Sequence, residues 1–296
     1  MRILLAGGSG FLGTHLRARL EQDGADVYLL VRRPARTPAE STWDPYAGVL
    51  DQGEVEAADV VINLAGSPTA GNPHSKKWAR DLRESRVRTT DVLARAIARA
   101  GGSPAYLAGN GISYYGDRGE ELLTEGSDSR GDALLTQVTR DWQRATESAA
   151  SAGARVCILR TAPVMDRRAA PLKQLLLAFR AGLGAQLGDG QQRMPMISLR
   201  DWVGAVSFLT DSSVSGPVNL CCERQPTNRE FSDTLARLVH RPRLLSVPAV
   251  VLRPAAGAMA PELLGSLNTR PQVLLEAGYS FADPTVAEVL ASALGA

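Results

Sequence analysis

Three glycines constrain this chain more than any other feature. Gly7, Gly10 and Gly13 follow the apolar run Arg2–Ala6 at GxxGxxG spacing and open an amphipathic stretch in which Leu12, Leu16 and Leu20 recur every fourth residue. A buried strand, a glycine turn and a helix with one apolar face make a strand–turn–helix unit. In such a unit the first glycine permits the tight turn, the second lets the backbone approach a pyrophosphate, and the third lets helix and strand pack closely. The free N–H groups and positive dipole end of the helix then favour a phosphate. The spacing therefore predicts a dinucleotide site at the very start of the chain; the alternative is a merely tight turn.

The same alternation continues. Buried strands are expected at 26–32 (DVYLLVR), 59–65 (DVVINLA), 105–110 and 155–161 (RVCILRT), with helices at about 74–100 and 132–152 between them. Strands that read as continuous apolar runs are covered on both faces, so the expectation is an α/β fold with a doubly wound, Rossmann-type parallel sheet. Beyond residue 165 the pattern loosens. Helices are expected at 171–181, 199–211, 228–240 (capped by Asn228), 261–266 and 271–277, and a strand at 216–222. The division read from this is a dinucleotide-binding domain over 1–165, with a contribution to its sheet from 216–222, and a smaller, mainly helical substrate lobe over 166–296.

Cofactor choice turns on the end of the second strand, where an acid would hold the ribose 2′-OH of NAD. Here the residues are Arg32 and Arg33. A guanidinium fork suits a 2′-phosphate, so NADP is the expected cofactor, unless both arginines simply face solvent. Composition narrows the remaining classes. Basic and acidic residues number 33 and 31, a net charge of +2, which gives no electrostatic case for nucleic acid or a membrane surface. Three cysteines, two of them adjacent (Cys221 and Cys222), make a poor disulfide framework and fit a reducing compartment. Three histidines without a CxxC or HExxH spacing argue against a metal site. With no signal-like or membrane-length apolar run, the expected location is the cytoplasm.

Several short motifs then come together: AGGSGFLG (6–13), WDP (43–45), DVVINLAG (59–66), SRV..T (85–90), SYYGDRG (113–119), LRTAPVM (159–165), TNREF (227–231), and GAMAPELL (257–264) followed by P..LL.AG (271–278). With these the chain resembles an extended short-chain dehydrogenase/reductase. More narrowly, it is similar to the branch called epimerase family protein, which joins a nucleotide-sugar-epimerase-like domain to a short C-terminal domain of unassigned function. The resemblance implies that Gly7, Gly10, Phe11, Leu12 and Gly13 take the pyrophosphate and that Arg32 and Arg33 take the 2′-phosphate. It places Leu64, Ala65 and Gly66 along the adenosine and ribose. Arg86 would reach back to the cofactor with Asp81 (the alternative is a surface ion pair), and Pro163 and Val164 would border the nicotinamide.

The catalytic pair of that family is missing. Short-chain dehydrogenases carry Tyr-x-x-x-Lys on a helix, the ammonium lowering the phenol pKa so that it can move a proton. The six tyrosines here, at 28, 46, 106, 114, 115 and 279, are followed four residues later by Arg, Leu, Asn, Arg, Gly and Asp. Superposition puts Leu135 at the Tyr position, Thr139 at the Lys position and Asn110 near the supporting Ser. Tyr115 and Asn110 are left as candidate catalytic residues. Tyr114 and Tyr115 are expected to line the crevice. His74 with Lys76 and Lys77 is either an anion site or a solvated helix start, and Ser198 and Asp201 either border the cleft or cap a helix. Two functions remain open. One is an NADP-dependent epimerase or oxidoreductase acting on a small polar, sugar-like compound. The other is a catalytically silent NADPH-binding redox sensor or partner-binding protein.

Overall fold

A computed structural model describes residues 1–295. Seven parallel strands form the central sheet: β1 (Arg2–Ala6), β2 (Asp26–Val31), β3 (Glu40–Thr42), β4 (Val60–Asn63), β5 (Ala105–Gly111), β6 (Val156–Thr161) and β7 (Gly216–Leu220), in the order β7-β6-β5-β4-β1-β2-β3. The direction of winding reverses between β1 and β4, so the crevice at this switch point opens past their C-terminal ends. Alternate residues of a strand face opposite sides, and here both sides are apolar. Ile3 and Leu5 of β1 join the cluster with Leu16, Leu20, Trp202 and Leu209, whereas Leu4 and Ala6 join the cluster with Leu93 and Ile97.

The helices fill both faces. Helix α1 (Phe11–Gln22) buries Gly13, Leu16 and Leu20. After the short α2 (Gln52–Glu56), α3 (Lys76–Arg99) starts where Ser75 accepts from the Trp78 amide. The single helix expected over 132–152 is two, α4 (Leu134–Arg144) and α5 (Glu147–Ser151), because the Thr146 hydroxyl donates back to the Gln143 carbonyl at the break. Helix α6 spans Ala170–Arg180. Helix α7 (Leu199–Asp211), on the far side of residue 165, packs against α1, and β7 pairs with β6, so the chain returns to the sheet twice after leaving it.

Helix α8 (Asn228–Leu238) is capped by Thr227, in a capping box with Glu230, and not by Asn228. Asn228 is buried instead, and its side-chain oxygen accepts from the Leu187 amide. The edge strand β3 was not expected from sequence, nor were α9 (Ala249–Ala256) and the final helix (Val286–Leu294). Between those two helices lie α10 (Ala260–Leu264) and α11 (Gln272–Glu276). A second core holds the later elements together through Met165, Phe179, Met196, Phe231, Leu235 and Leu290. No helix among the described residues is long and apolar enough to cross a membrane.

Candidate functional site

The three glycines differ in what surrounds them. Gly7 adopts φ +83°, and a Cβ there would stand 2.6 Å from the Leu64 carbonyl carbon. At Gly13 a Cβ would lie 2.2 Å from the Gly7 oxygen, so helix and loop are in backbone contact. Gly10 is exposed at φ −76°, and a Cβ there would meet only the Gly7 oxygen, at 3.3 Å. Side chains are excluded by the protein itself at Gly7 and Gly13, and at Gly10 the space lies outside the protein. Gly10 is also the N-cap of α1 and offers no side-chain cap, and the amides of Phe11 and Leu12 have no partner among the described residues. Free amides at a helix start beside open space are the geometry that favours an anion.

Leu64 and Ala65 lie against this loop, both half-buried, and the Asn63 side-chain oxygen holds the Ala65 amide at 3.0 Å. Gly66 is exposed beside Arg86. Arg86 donates to the carbonyls of Ser67 and Leu82 and to the Thr69 hydroxyl, with its guanidinium 5.2 Å from the Trp142 ring. Burial pulls its pKa down to about 10. The surface ion pair of Arg86 with Asp81, the alternative to a shared cofactor contact, does not form: Asp81 turns outward to Lys77, four residues before it on the helix, at 2.5 Å. No carboxylate among the described residues lies within ion-pair distance of Arg86.

At the end of β2 the two arginines part company. Arg33 is clamped bidentately on Glu40 of β3, at 2.6 and 2.8 Å. Arg33 and the Arg36 amide together hold the Glu40 carboxyl at about 2. Arg32 is exposed and makes no side-chain hydrogen bond among the described residues. Past β6, Pro163 is exposed and Val164 is buried in the core beside α7.

The candidate acids fare differently from expectation. Tyr115 is fully buried, so it does not line the crevice. Its hydroxyl donates to the Asn219 side-chain oxygen at 2.7 Å and accepts from Arg160 at 2.8 Å. Burial pushes the phenol up to about 12 in spite of the neighbouring guanidinium. Arg160, 1 % exposed, also stacks 3.6 Å from the ring of the half-buried Tyr114, so Tyr115 and Arg160 form a buried polar floor with Tyr114 at its edge. Asn110 has both side-chain groups in use: it donates to the Thr139 carbonyl and accepts from the Gly111 amide. The Thr139 hydroxyl is bonded back into its own helix, to Leu135 and Thr136. Ser198 caps α7, as one of its two expected roles had it, whereas the Asp201 carboxylate caps no helix and instead accepts from the loop amides of Ala282 and Asp283.

Sequence reasoning missed one pair. Ser113, on the turn just past β5, donates to Glu262 of α10 at 2.6 Å across 149 residues. Burial raises the Glu262 carboxyl above its ordinary value, the Ser113 hydrogen bond acting the other way. His74 meets the same C-terminal segment: a Cβ on Gly257 would be 2.8 Å from its ring. No local pattern could have announced these contacts.

Residues 3–221 match the model of the NAD dependent epimerase/dehydratase family, and residues 247–293 match a domain of unknown function, DUF1731. An epimerase family protein of Mycobacterium tuberculosis is 37% identical over 290 residues, which cover 97% of this chain and 96% of that protein. Among solved structures, the human epimerase family protein SDR39U1 (isoform 2) with NADPH superposes with a TM-score of 0.83 at 28% identity, covering 98% of each chain. A nucleoside-diphosphate sugar epimerase from Corynebacterium glutamicum superposes at 0.80 with 28% identity, over all of this chain and 58% of that one.

Proposed function

This chain belongs to the NAD dependent epimerase/dehydratase family, and from that premise we propose that it binds NADPH and catalyses hydride transfer to or from a small polar carbonyl or hydroxyl compound, sugars included. One observation carries the reading: the outward side of Gly10, with the unpartnered Phe11 and Leu12 amides beside it, fits a pyrophosphate and nothing in the protein fills it. Gly7 and Gly13 shape that cradle, and Leu64, Ala65 and Gly66 wall the adenosine side. Arg32 is the free cation for a 2′-phosphate, while Arg33, tied to Glu40, positions the strand end. The human relative's NADPH supports the phosphate-bearing form of the cofactor.

When bound, the nicotinamide supplies or accepts hydride, which requires proximity to the substrate carbon. Pro163 would border that end, and Arg86, beside Gly66, would supply the cofactor with a cation that no carboxylate among the described residues pairs. Three buried free cysteines agree with a cytoplasmic setting. A second reading, a silent NADPH sensor, is favoured by Leu135 and by the locked Thr139 hydroxyl where the family's Tyr and Lys would stand. Calorimetric titration tests the common premise. Each charged hydrogen bond contributes about 1.5–3 kcal/mol, so NADPH is expected to bind about 10- to 100-fold tighter than NADH. Equal affinities would overturn the NADP assignment.

A further inference from the structure

The segment from Gly257 to Ser266 is a strap across the C-terminal edge of the sheet. It is anchored at three points on two neighbouring loops. The Ala258 amide donates to the Pro73 carbonyl, in the loop after β4. Glu262 accepts from Ser113, in the turn after β5. Farther along, the Ser266 amide donates to Asp117 at 3.0 Å, and the Ser266 carbonyl accepts from the Arg118 amide. Helix α4, which carries Leu135 and Thr139, packs against residues 257–259 of the strap. The strap thus lies over the region where ligands bind in a sheet of this kind.

Glu262 is the part of the strap that a tether alone does not explain. It is half-buried, Ser113 is its only hydrogen-bond partner among the described residues, and no basic side chain there lies within ion-pair distance. Its second carboxyl oxygen is left open. Four charged or titratable groups beside the strap have other contacts. Asp117 holds the amides of Gly119 and Ser266, His74 sits against Gly257, Arg118 pairs with Glu121 and Asp128, and Arg140 of α4 is bonded to Ser129 and Gly131. A half-buried carboxyl without a cation is costly when ionised unless a ligand faces it.

We propose that Ser113 and Glu262 form the proton-transfer pair of the substrate crevice, taking the place of the absent Tyr–Lys pair and acting on a carbonyl or alcohol oxygen. The proposal rests on the dinucleotide reading above. In a reduction, the carbonyl carbon accepts hydride from a reduced nicotinamide and the C–O π bond opens. The oxygen takes the Ser113 Oγ proton, Ser113 regains one from the Glu262 carboxyl, and Glu262 is reprotonated by bulk water. The substrate is reduced, the nicotinamide dinucleotide is oxidised, and the protein returns to its starting protonation state. The reverse oxidation runs through the same groups.

The test reads binding rather than turnover. A carboxylate close enough to serve an oxygen on the reacting carbon also feels the positive charge of an oxidised nicotinamide. Dissociation constants for NADP⁺ and NADPH are measured by calorimetry across the acid-to-neutral range. In the wild type, NADP⁺ should gain on NADPH by about 5- to 50-fold as Glu262 ionises, the size of a Coulomb interaction at about 7 Å and intermediate dielectric. In Glu262→Gln the ratio should be flat. Ser113→Ala removes a donor to the carboxylate, so its midpoint should move to higher pH, and this variant answers the question if Glu262→Gln folds poorly. A Glu262→Gln protein that keeps the wild-type pH-dependent ratio, or a midpoint unmoved in Ser113→Ala, makes Glu262 a structural tie and overturns the proposal. A wild type that binds both dinucleotides with a constant ratio sinks the proposal alone, whereas one that binds neither sinks the dinucleotide reading and the proposal with it.

Discussion

The two ends of the crevice are built by opposite means. At the glycine turn, Gly7 and Gly13 meet their neighbours through backbone atoms where a Cβ would collide, and Gly10 faces open space. Past β5 the contacts run instead between side chains well apart in the chain: Ser113 with Glu262 and, in the buried interior, Tyr115 with Asn219 and Arg160 with Gln143. A backbone-built site tolerates almost no substitution and keeps its chemistry fixed. A site built from long-range side chains can change its groups one at a time.

The largest effect that would break this contrast is at Gly10. Gly10→Val should leave the fold intact, since a Cβ there meets only the Gly7 oxygen at 3.3 Å. It should weaken NADPH binding by more than about 100-fold, because the side chain occupies the phosphate path. Gly13→Val, with its Cβ 2.2 Å from that same oxygen, should instead destabilise the fold by about 1–3 kcal/mol or more. Calorimetry and thermal melting together separate the two. Equal losses of stability would mean that Gly10 is structural as well.

Next comes the polar floor. The Tyr115 phenol, raised to about 12, is stable in its neutral form. A folded-state pKa above the unfolded value near 10 gives a contribution that is full below pH 10 and is lost as the pH rises toward 12. Two units correspond to about 2–3 kcal/mol. In denaturant titrations the difference between wild type and Tyr115→Phe should therefore shrink across that window, with NADPH affinity unchanged. A fall in affinity would return Tyr115 to the crevice.

Arg32 and Arg33 sharpen the comparison at smaller scale. Arg32→Ala should remove most of the preference for NADPH over NADH, about 10-fold or more. Arg33→Ala should cost less, because that guanidinium is already held by Glu40 at 2.6 Å. The reverse order in competition binding would mean that Arg33 leaves Glu40 for the cofactor. The smallest effect is expected at Asp81, whose partner is the exposed Lys77. Asp81→Asn should change stability by less than about 0.5 kcal/mol and leave cofactor affinity alone.

How much was legible follows the same division. The strand and helix forming the first βα unit were readable because the glycine spacing, the apolar run and the fourfold leucine repeat lie within twenty-two residues and report on local geometry. Helix α7 was readable from end to end for a similar reason, its Ser198 cap being adjacent to the turn it caps. The edge strand β3 was not: three consecutive polar residues carry no periodic signal, so Glu40 and its hold on Arg33 went unseen. Tyr115 was misplaced because a tyrosine after a strand looks the same in sequence whether its hydroxyl faces a ligand or an internal arginine.

By itself, then, the sequence determined the parallel sheet, the position of the glycine turn that opens α1 and the absence of a Tyr-x-x-x-Lys spacing. Each depends on residue types at short, fixed spacing, where backbone sterics and strand or helix period leave few alternatives. Only the tertiary structure decided that Arg33 and not Arg32 is held by Glu40, that Tyr115 is buried on Arg160, and that a carboxyl 149 residues away arrives on Ser113. Those outcomes depend on where distant elements come to rest. Such packing is set by the summed burial of the whole chain, and no local pattern encodes it.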